Sequence, residues 1–150
     1  MTSSAARRMK LGRVVFAAII YLATGGRAEE RFPIGFWYGP PASANRAETW
    51  KTAADTGFNL VGPCFGYSPA DNQALLAPCK QAGLQALIVD ARIQPEMVAD
   101  EAWRGLVRQV VADYQDSPAL FGYYLHDEPG ARWFPVLGAI HAEFKRHDPH

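Results

Sequence analysis

The sequence predicts an α/β fold in which about four βα units form the N-terminal half of a TIM (β/α)8 barrel. Short apolar segments alternate with segments of helical periodicity along most of the 150-residue chain. The apolar segments lack a polar face, as is typical of strands in a parallel sheet. The predicted strands start near residues 33, 59, 85 and 120, a spacing that suits one strand, one helix and their loops.

The first two units follow one pattern. Residues 32–38 are predicted to form an aromatic strand that a Gly-Pro-Pro turn ends, and residues 47–56 a helix with one apolar face. Residues 59–64 are the second predicted strand and residues 71–82 the second helix, which Asp71 or Asn72 begins. A glycine directly follows each helix, where a C-terminal cap is expected.

The next two units continue the alternation. Residues 84–90 form the clearest strand pattern, and residues 102–114 place apolar side chains at helical spacing until a Ser-Pro pair ends the helix. Residues 120–127 are the fourth predicted strand, and residues 134–146 the fourth helix. Since right-handed crossovers place successive parallel strands side by side, we expect the strand order 1-2-3-4 with the helices on the outer face.

Two architectures contain such units, an open doubly wound sheet and a closed barrel. The first turn, Gly39-Pro40-Pro41, lacks the G-x-G-x-x-G spacing, and its prolines lack backbone N–H groups that a pyrophosphate would need. We therefore expect no dinucleotide. We expect no cofactor of another kind either. A complete barrel needs eight units and about 250 residues. Residues 29–150 are thus predicted to be a partial barrel that stops before strand five.

Residues 1–28 are predicted to be an export signal, with the mature chain beginning near Glu29. This segment holds five basic and no acidic residues, an apolar stretch over residues 14–23, and the small residues Gly26 and Ala28 before the expected cut. The chain is therefore expected to be secreted or periplasmic, and to meet the membrane only through this signal. An uncleaved N-terminal anchor is the alternative.

Charge and cysteine content exclude several classes of function. The formal net charge is zero, but without the signal ten basic residues face fifteen acidic ones, which is unsuited to nucleic acid. Cys64 and Cys79 are expected to lie too far apart for a disulfide, beyond about 7 Å between Cα atoms, and to be small buried thiols. Neither cysteine has the spacing of a zinc ligand, and we expect no metal.

The carboxyl ends of the strands, where a barrel has its active site, collect aromatic and charged residues. The candidate ligand-binding residues are Trp37, Tyr38, Phe65, Tyr67, Asp90, Arg92, His126 and Asp127. Aromatic rings stack on the faces of sugar rings, while carboxylates and arginine bind hydroxyl groups, so this set suits a carbohydrate. Any one of the aromatic residues could instead belong to the core.

The fourth strand carries the most specific pattern. Because side chains alternate along a strand, one set faces the helices and the other faces the barrel interior. The expected interior set is Gly122, Tyr124, His126 and Glu128, and the expected helix-facing set is Phe121, Tyr123, Leu125 and Asp127. Pro129 is expected to hold Glu128 in an extended conformation, so that Glu128 points into the mouth of the barrel.

Residues 121–129, Phe-Gly-Tyr-Tyr-Leu-His-Asp-Glu-Pro, resemble the fourth strand of clan A glycoside hydrolases, particularly β-galactosidase-like barrels of bacterial polysaccharide degradation. The resemblance covers roughly residues 32–150, including the aromatic first strand. It implies that Glu128 is the general acid/base, with a nucleophilic glutamate on strand seven. The family pattern has asparagine before the acid/base, where this chain has Asp127.

Other functions remain open. The chain could belong to a non-catalytic carbohydrate-binding barrel, or to a different hydrolase or isomerase in which Asp90, His126, Asp127 and Glu128 bind a metal. Glu128 could also form a structural ion pair with Arg92. Whichever holds, we expect the half-barrel alone to be inactive, and to self-associate through its unpaired first and fourth strands.

Overall fold

A computed structural model of the chain describes residues 32–64 and 67–148. The predicted export signal, the expected start at Glu29 and the candidate Phe65 lie outside the described residues. The strands are β1 (Gly35–Phe36), β2 (Leu60–Val61), β3 (Gln85–Ile88) and β4 (Leu120–Tyr123). The helices are α1 (Ala47–Asp55), α2 (Pro69–Ala82), α3 (Trp103–Tyr114) and α4 (Phe134–His147), with short 3-10 helices over Ala42–Ala44, Pro95–Ala99 and Ala131–Trp133. Within residues 32–64 and 67–148, no helix has the length and apolar character needed to cross a membrane.

The four strands form one parallel sheet in the order β1-β2-β3-β4, which confirms the predicted α/β class and strand order. The ladder between β3 and β4 contains a register shift: Ala86 pairs with Leu120, whereas Leu87 pairs with Gly122. Phe121 is therefore an extra residue in β4, as in a β-bulge. The bulge places Leu120 and Tyr123 on the same face of the sheet although they are three residues apart.

One apolar core joins all four helices to one face of the sheet. The sheet contributes Val61, Ala86, Ile88 and Leu120, which the strand register places on that face. The helices contribute Trp50, Leu75, Leu76, Cys79, Trp103, Val107, Val110, Val111, Tyr114, Ile140 and Phe144. In the described part of the chain, the helices therefore cover a single face, unlike those of a doubly wound sheet.

Helices α1 and α2 are joined through the side chain of Asn45. Its Oδ1 accepts a hydrogen bond from the indole nitrogen of the fully buried Trp50 at 2.7 Å, and its Nδ2 donates to the carbonyl oxygen of Ala74 at 3.0 Å. Ala74 lies four residues before Pro78, which has no N–H to donate within the helix. Asn45 thus supplies the donor that the proline removes.

Helix α2 begins earlier than predicted, and the predicted Asp-Asn start is wrong. Ser68 caps the helix: its Oγ accepts a hydrogen bond from the backbone N–H of Asp71 at 3.2 Å, and Pro69 occupies the first helical position. Asn72 is instead buried inside the fold, where its amide donates to the carbonyl oxygen of Val89. The serine-proline pair therefore sets the start of the helix.

Buried carboxylates fix helix α4. Glu143 interacts with Arg104 of α3 and with Arg146 and His147 of its own helix. Hydrogen bonds from His147 and Arg146 outweigh the effect of burial and hold the pKa of Glu143 below its usual value. At the end of α4, Asp148 accepts a hydrogen bond of 2.6 Å from the hydroxyl group of Tyr123, which ties the helix to β4.

Candidate functional site

A cleft of about 490 Å³ opens at the carboxyl ends of the four strands. This volume lies in the usual range for small-molecule sites. All four strand ends contribute to its wall, as expected for a parallel sheet. The lining residues are Trp37, Tyr38, Gly39, Pro40, Pro41, Pro63, Cys64, Tyr67, Val89, Ala91, Ile93, Gln94, Tyr124, Leu125, His126 and Asp127. Five of the predicted ligand-binding residues, Trp37, Tyr38, Tyr67, His126 and Asp127, are therefore brought together.

Side chains alternate at the end of β1, so that Phe36 lies on the core side and Trp37 lies in the cleft. Phe36 packs against Trp50 and, edge-on, against Phe58, and so belongs to the core side. Trp37 is 49% exposed in the cleft, and its ring meets that of Tyr124 edge-on with 5.2 Å between centroids. The Trp37 ring is thus both held in position and open to a ligand.

The end of β4 builds the polar wall of the cleft. The hydroxyl group of Tyr124 donates to Oδ1 of Asp127 at 2.9 Å, and Nδ1 of His126 lies 2.6 Å from the carbonyl oxygen of Asp127. Desolvation, followed by the hydrogen bond to Asp127, raises the pKa of Tyr124 to about 12. Tyr124 was absent from the predicted site, although its position on the interior face of strand four was a signal that could have identified it.

Strand β4 ends at Tyr123, four residues before the predicted end, and this changes the positions of Asp127 and Glu128. Asp127 lines the cleft and does not face the helices as the alternation had indicated. Glu128 is not extended: its backbone has a left-handed φ of 42°. Its exposed side chain does not line the cleft, although its charge contributes to raising the pKa of Tyr124.

The expected extended conformation of Glu128 is therefore wrong. The preference of a residue before proline is overridden because the chain turns away from the sheet after Tyr124. A non-glycine residue with positive φ is strained by about 1–3 kcal/mol, and such strain is frequent at binding and catalytic sites. Tyr67, which lines the cleft, also has a left-handed φ, of 63°, and its carbonyl oxygen accepts a hydrogen bond from the backbone N–H of Ala91.

Asp90 and Arg92, which the sequence predicts as ligand-binding residues, do not line the cleft. The Asp90 side chain is 2% exposed, and both of its oxygens accept hydrogen bonds from Arg92, at 2.8 and 2.7 Å. The Tyr114 hydroxyl group donates to the same carboxylate at 2.6 Å. Although burial alone would raise the pKa of Asp90, hydrogen bonds from Arg92 and Tyr114 hold it below its usual value.

This network has a structural role beside the cleft. Arg92 also pairs with Asp113 at 2.7 Å; among the described residues it forms ion pairs with Asp90 and Asp113, and the alternative of an ion pair with Glu128 is not formed. The network fixes the turn after β3, in which the N–H of Ile93 donates to the carbonyl oxygen of Asp90. Its neighbours in that turn, Ala91, Ile93 and Gln94, consequently line the cleft.

The two cysteines occupy different environments. Cys79 is a buried thiol whose pKa is raised to about 12 by burial and, secondarily, by nearby Cys64. Cys64 is a half-buried thiol on the cleft wall, where a side chain at Gly39 would overlap its sulfur atom. Among the residues that the structure describes, no group of three or more His, Cys, Asp or Glu side chains is arranged to hold a metal ion.

No protein-family model matches this chain, and no curated protein or solved structure is significantly similar to it. What the cleft can do therefore follows from its own side chains. Its exposed aromatic surfaces can stack on a flat apolar face, while the carboxylate of Asp127 and the imidazole of His126 can take part in hydrogen bonds. This combination suits a ligand with an apolar ring face and several hydroxyl groups.

Proposed function

We propose that the chain is the N-terminal half of a carbohydrate-active (β/α)8 barrel, a secreted or periplasmic glycoside hydrolase with Glu128 as its general acid/base. The observation that carries the proposal is the cleft at the carboxyl ends of the strands, in which Trp37 and Tyr38 lie near the polar side chains of His126 and Asp127. A four-stranded parallel sheet covered by helices on one face is compatible with half of such a barrel.

Glycoside hydrolysis requires two carboxyl groups, one to protonate the leaving oxygen and a second to act as nucleophile or base. Glu128 is the candidate for the first, because the residues around it resemble the acid/base strand of the clan. Its charge contributes to raising the pKa of Tyr124, which lines the cleft, so Glu128 lies near the cleft although it does not line it. The resemblance assigns the second carboxylate to strand seven, outside these four units.

A non-catalytic carbohydrate-binding barrel is the second candidate. It is favoured by one specific observation: Asp127 lines the cleft and is held by Tyr124, whereas Glu128 does not line it. A carboxylate fixed in this way is suited to binding a hydroxyl group. The two candidates share the ligand class and differ only in what Glu128 does.

Hydrolysis of aryl glycosides by the full-length protein separates the two candidates, because a non-catalytic barrel hydrolyses none of them. Leaving-group dependence then tests the role of Glu128. Glu128→Gln should lower kcat/KM by about 10²–10⁴-fold on aryl glycosides with poor leaving groups, because these need protonation. It should have a much smaller effect on those with good leaving groups. Asp127→Asn is the matched control, which should weaken both substrate types alike. Equal losses on both substrate types in Glu128→Gln would contradict the acid/base role.

We also propose that the open sheet drives self-association of the isolated chain. In the described residues, β1 and β4 are the outer strands and have one partner strand each. Phe121, the extra residue of β4, is 39% exposed at one of these edges. An unpaired strand edge with exposed apolar side chains is a template for pairing with another chain.

A further inference from the structure

The hydrogen bond of His126 determines which of its two ring nitrogens carries the proton. Nδ1 lies 2.6 Å from the backbone carbonyl oxygen of Asp127. A carbonyl oxygen has no proton to donate, so this short contact requires an N–H group at Nδ1. In a neutral imidazole the other nitrogen, Nε2, then carries a lone pair and can only accept a hydrogen bond.

The carbonyl group that fixes this tautomer is itself held in place. The carboxylate of Asp127 accepts from the hydroxyl group of Tyr124, and the Tyr124 ring rests edge-on against Trp37. A continuous series of contacts thus connects Trp37, which follows β1, through Tyr124 and Asp127 to the imidazole of His126. Within residues 32–64 and 67–148, Nε2 of His126 has no hydrogen-bond partner.

The charge of the cleft wall limits what Nε2 can bind. None of the described lining residues is lysine or arginine, so the wall offers no cation to an anionic ligand. Asp127 adds a carboxylate, a second acceptor that repels anions. The two acceptors, Nε2 of His126 and the carboxylate of Asp127, favour a ligand that donates hydrogen bonds and carries no negative charge, and neutral polyhydroxylated molecules have both properties.

We propose that His126 is a hydrogen-bond acceptor of the cleft, with unprotonated Nε2 accepting from a hydroxyl group of a neutral polyhydroxylated ligand. Only the choice of a sugar as the probe rests on the proposed function. The tautomer depends on the contact between His126 and Asp127 alone. Failure of this inference and failure of the carbohydrate function can therefore be told apart.

Two-bond ¹H–¹⁵N correlation NMR on the full chain at pH 8.5, where histidine side chains are ordinarily neutral, measures the tautomer directly. We expect His126 to show the Nδ1–H tautomer. His141, exposed on α4, is the internal control and should show the Nε2–H form that solvated histidine prefers. The Nε2–H form at His126 would overturn the inference, whatever ligand the cleft binds.

Titration with methyl β-D-galactopyranoside tests the acceptor itself. We expect the Nε2 resonance of His126 to shift together with the indole signal of Trp37. A sugar that shifts Trp37 but not Nε2 would overturn the inference and leave the carbohydrate function standing. If His126 shows the Nδ1–H tautomer but the sugar does not shift the Trp37 signal, the tautomer assignment stands and the result counts against a carbohydrate function.

Two variants separate the acceptor from the fold. His126→Gln can place an amide oxygen near the position of Nε2, and should keep the affinity for the galactoside within about twofold. His126→Asn reaches only the position of Nδ1, and should weaken binding about five- to tenfold, the loss expected for one hydrogen bond. Equal affinities for the two variants and the unchanged protein would refute the acceptor role, provided that both variants keep the native circular dichroism spectrum.

Discussion

Asn45 gives a test of how one side chain connects two helices. Its amide accepts a hydrogen bond from the indole N–H of fully buried Trp50 and donates one to the carbonyl oxygen of Ala74. Pro78 leaves that carbonyl without its helical donor. Asn45→Ala leaves both of these groups without their hydrogen-bond partner. An unsatisfied buried donor costs about 1–3 kcal/mol, whereas the carbonyl of exposed Ala74 can turn to water at a cost of about 0.5 kcal/mol. We therefore expect a loss of about 2 kcal/mol in the free energy of unfolding.

A second substitution isolates the contribution of Ala74. Pro78→Ala restores a backbone N–H that can donate to Ala74 within the helix. In the Pro78→Ala protein, the loss in free energy of unfolding caused by Asn45→Ala should be about 0.5–1 kcal/mol smaller than in the unchanged protein. This difference is the usual net value of one hydrogen bond. Asn45→Asp is the matched control: it keeps the acceptor for Trp50, loses the donor, and should cost little once Pro78 is replaced.

Urea unfolding at pH 7, followed by tryptophan fluorescence, measures all four free energies of this cycle. Strict additivity of Asn45→Ala and Pro78→Ala would refute the idea that Asn45 compensates for the proline. A cost for Asn45→Ala below about 0.5 kcal/mol would refute the assignment of the Trp50 hydrogen bond as a buried one.

Three further substitutions test other contacts. Tyr114→Phe should cost about 2 kcal/mol at pH 7 in urea unfolding, because Asp90 loses a charge-assisted hydrogen bond. The pKa of Asp90 is lower in the folded than in the unfolded state. The stabilisation by its hydrogen bonds is therefore complete above the unfolded pKa of about 3.9, and it is lost as the pH falls through the folded value. If Tyr114→Phe lowered the free energy of unfolding by the same amount at every pH, this reasoning would be contradicted. Tyr123→Phe should cost about 1–3 kcal/mol in the same assay, because it removes the hydrogen bond from the Tyr123 hydroxyl group to the buried carboxylate of Asp148. Phe121→Lys should reduce self-association in size-exclusion chromatography with little change in Tm, and an unchanged elution volume would argue against association through β4.

The type and order of the elements could be predicted because each rests on a local pattern. Apolar runs mark the strands, helical spacing marks the helices, and the four successive units imply neighbouring parallel strands. Strand lengths were overestimated: the run over residues 59–64 forms a ladder only at Leu60–Val61. The residues beyond Val61 and Tyr124 leave the sheet, and several of them line the cleft, which an apolar run does not reveal.

The site was predicted in part, and the errors have a common cause. Trp37, directly after β1, and His126, three residues after β4, line the cleft as expected. Asp90 follows β3 in the same way, but α3 brings Tyr114 against it and thereby turns it into a structural group. Such a contact joins residues 24 positions apart, and no local pattern signals it. The left-handed backbone of Glu128 likewise depends on the turn around it.

Cys64 makes the cleft accessible to chemical labelling without any substitution. The chain contains two cysteines, and burial of Cys79, with its pKa near 12, protects that thiol from alkylation. A maleimide fluorophore should therefore attach selectively at Cys64, directly against Gly39 on the cleft wall. Protection of Cys64 from the reagent would report occupancy of the cleft by any small molecule, so a collection of unrelated compounds could be screened before the natural ligand is known.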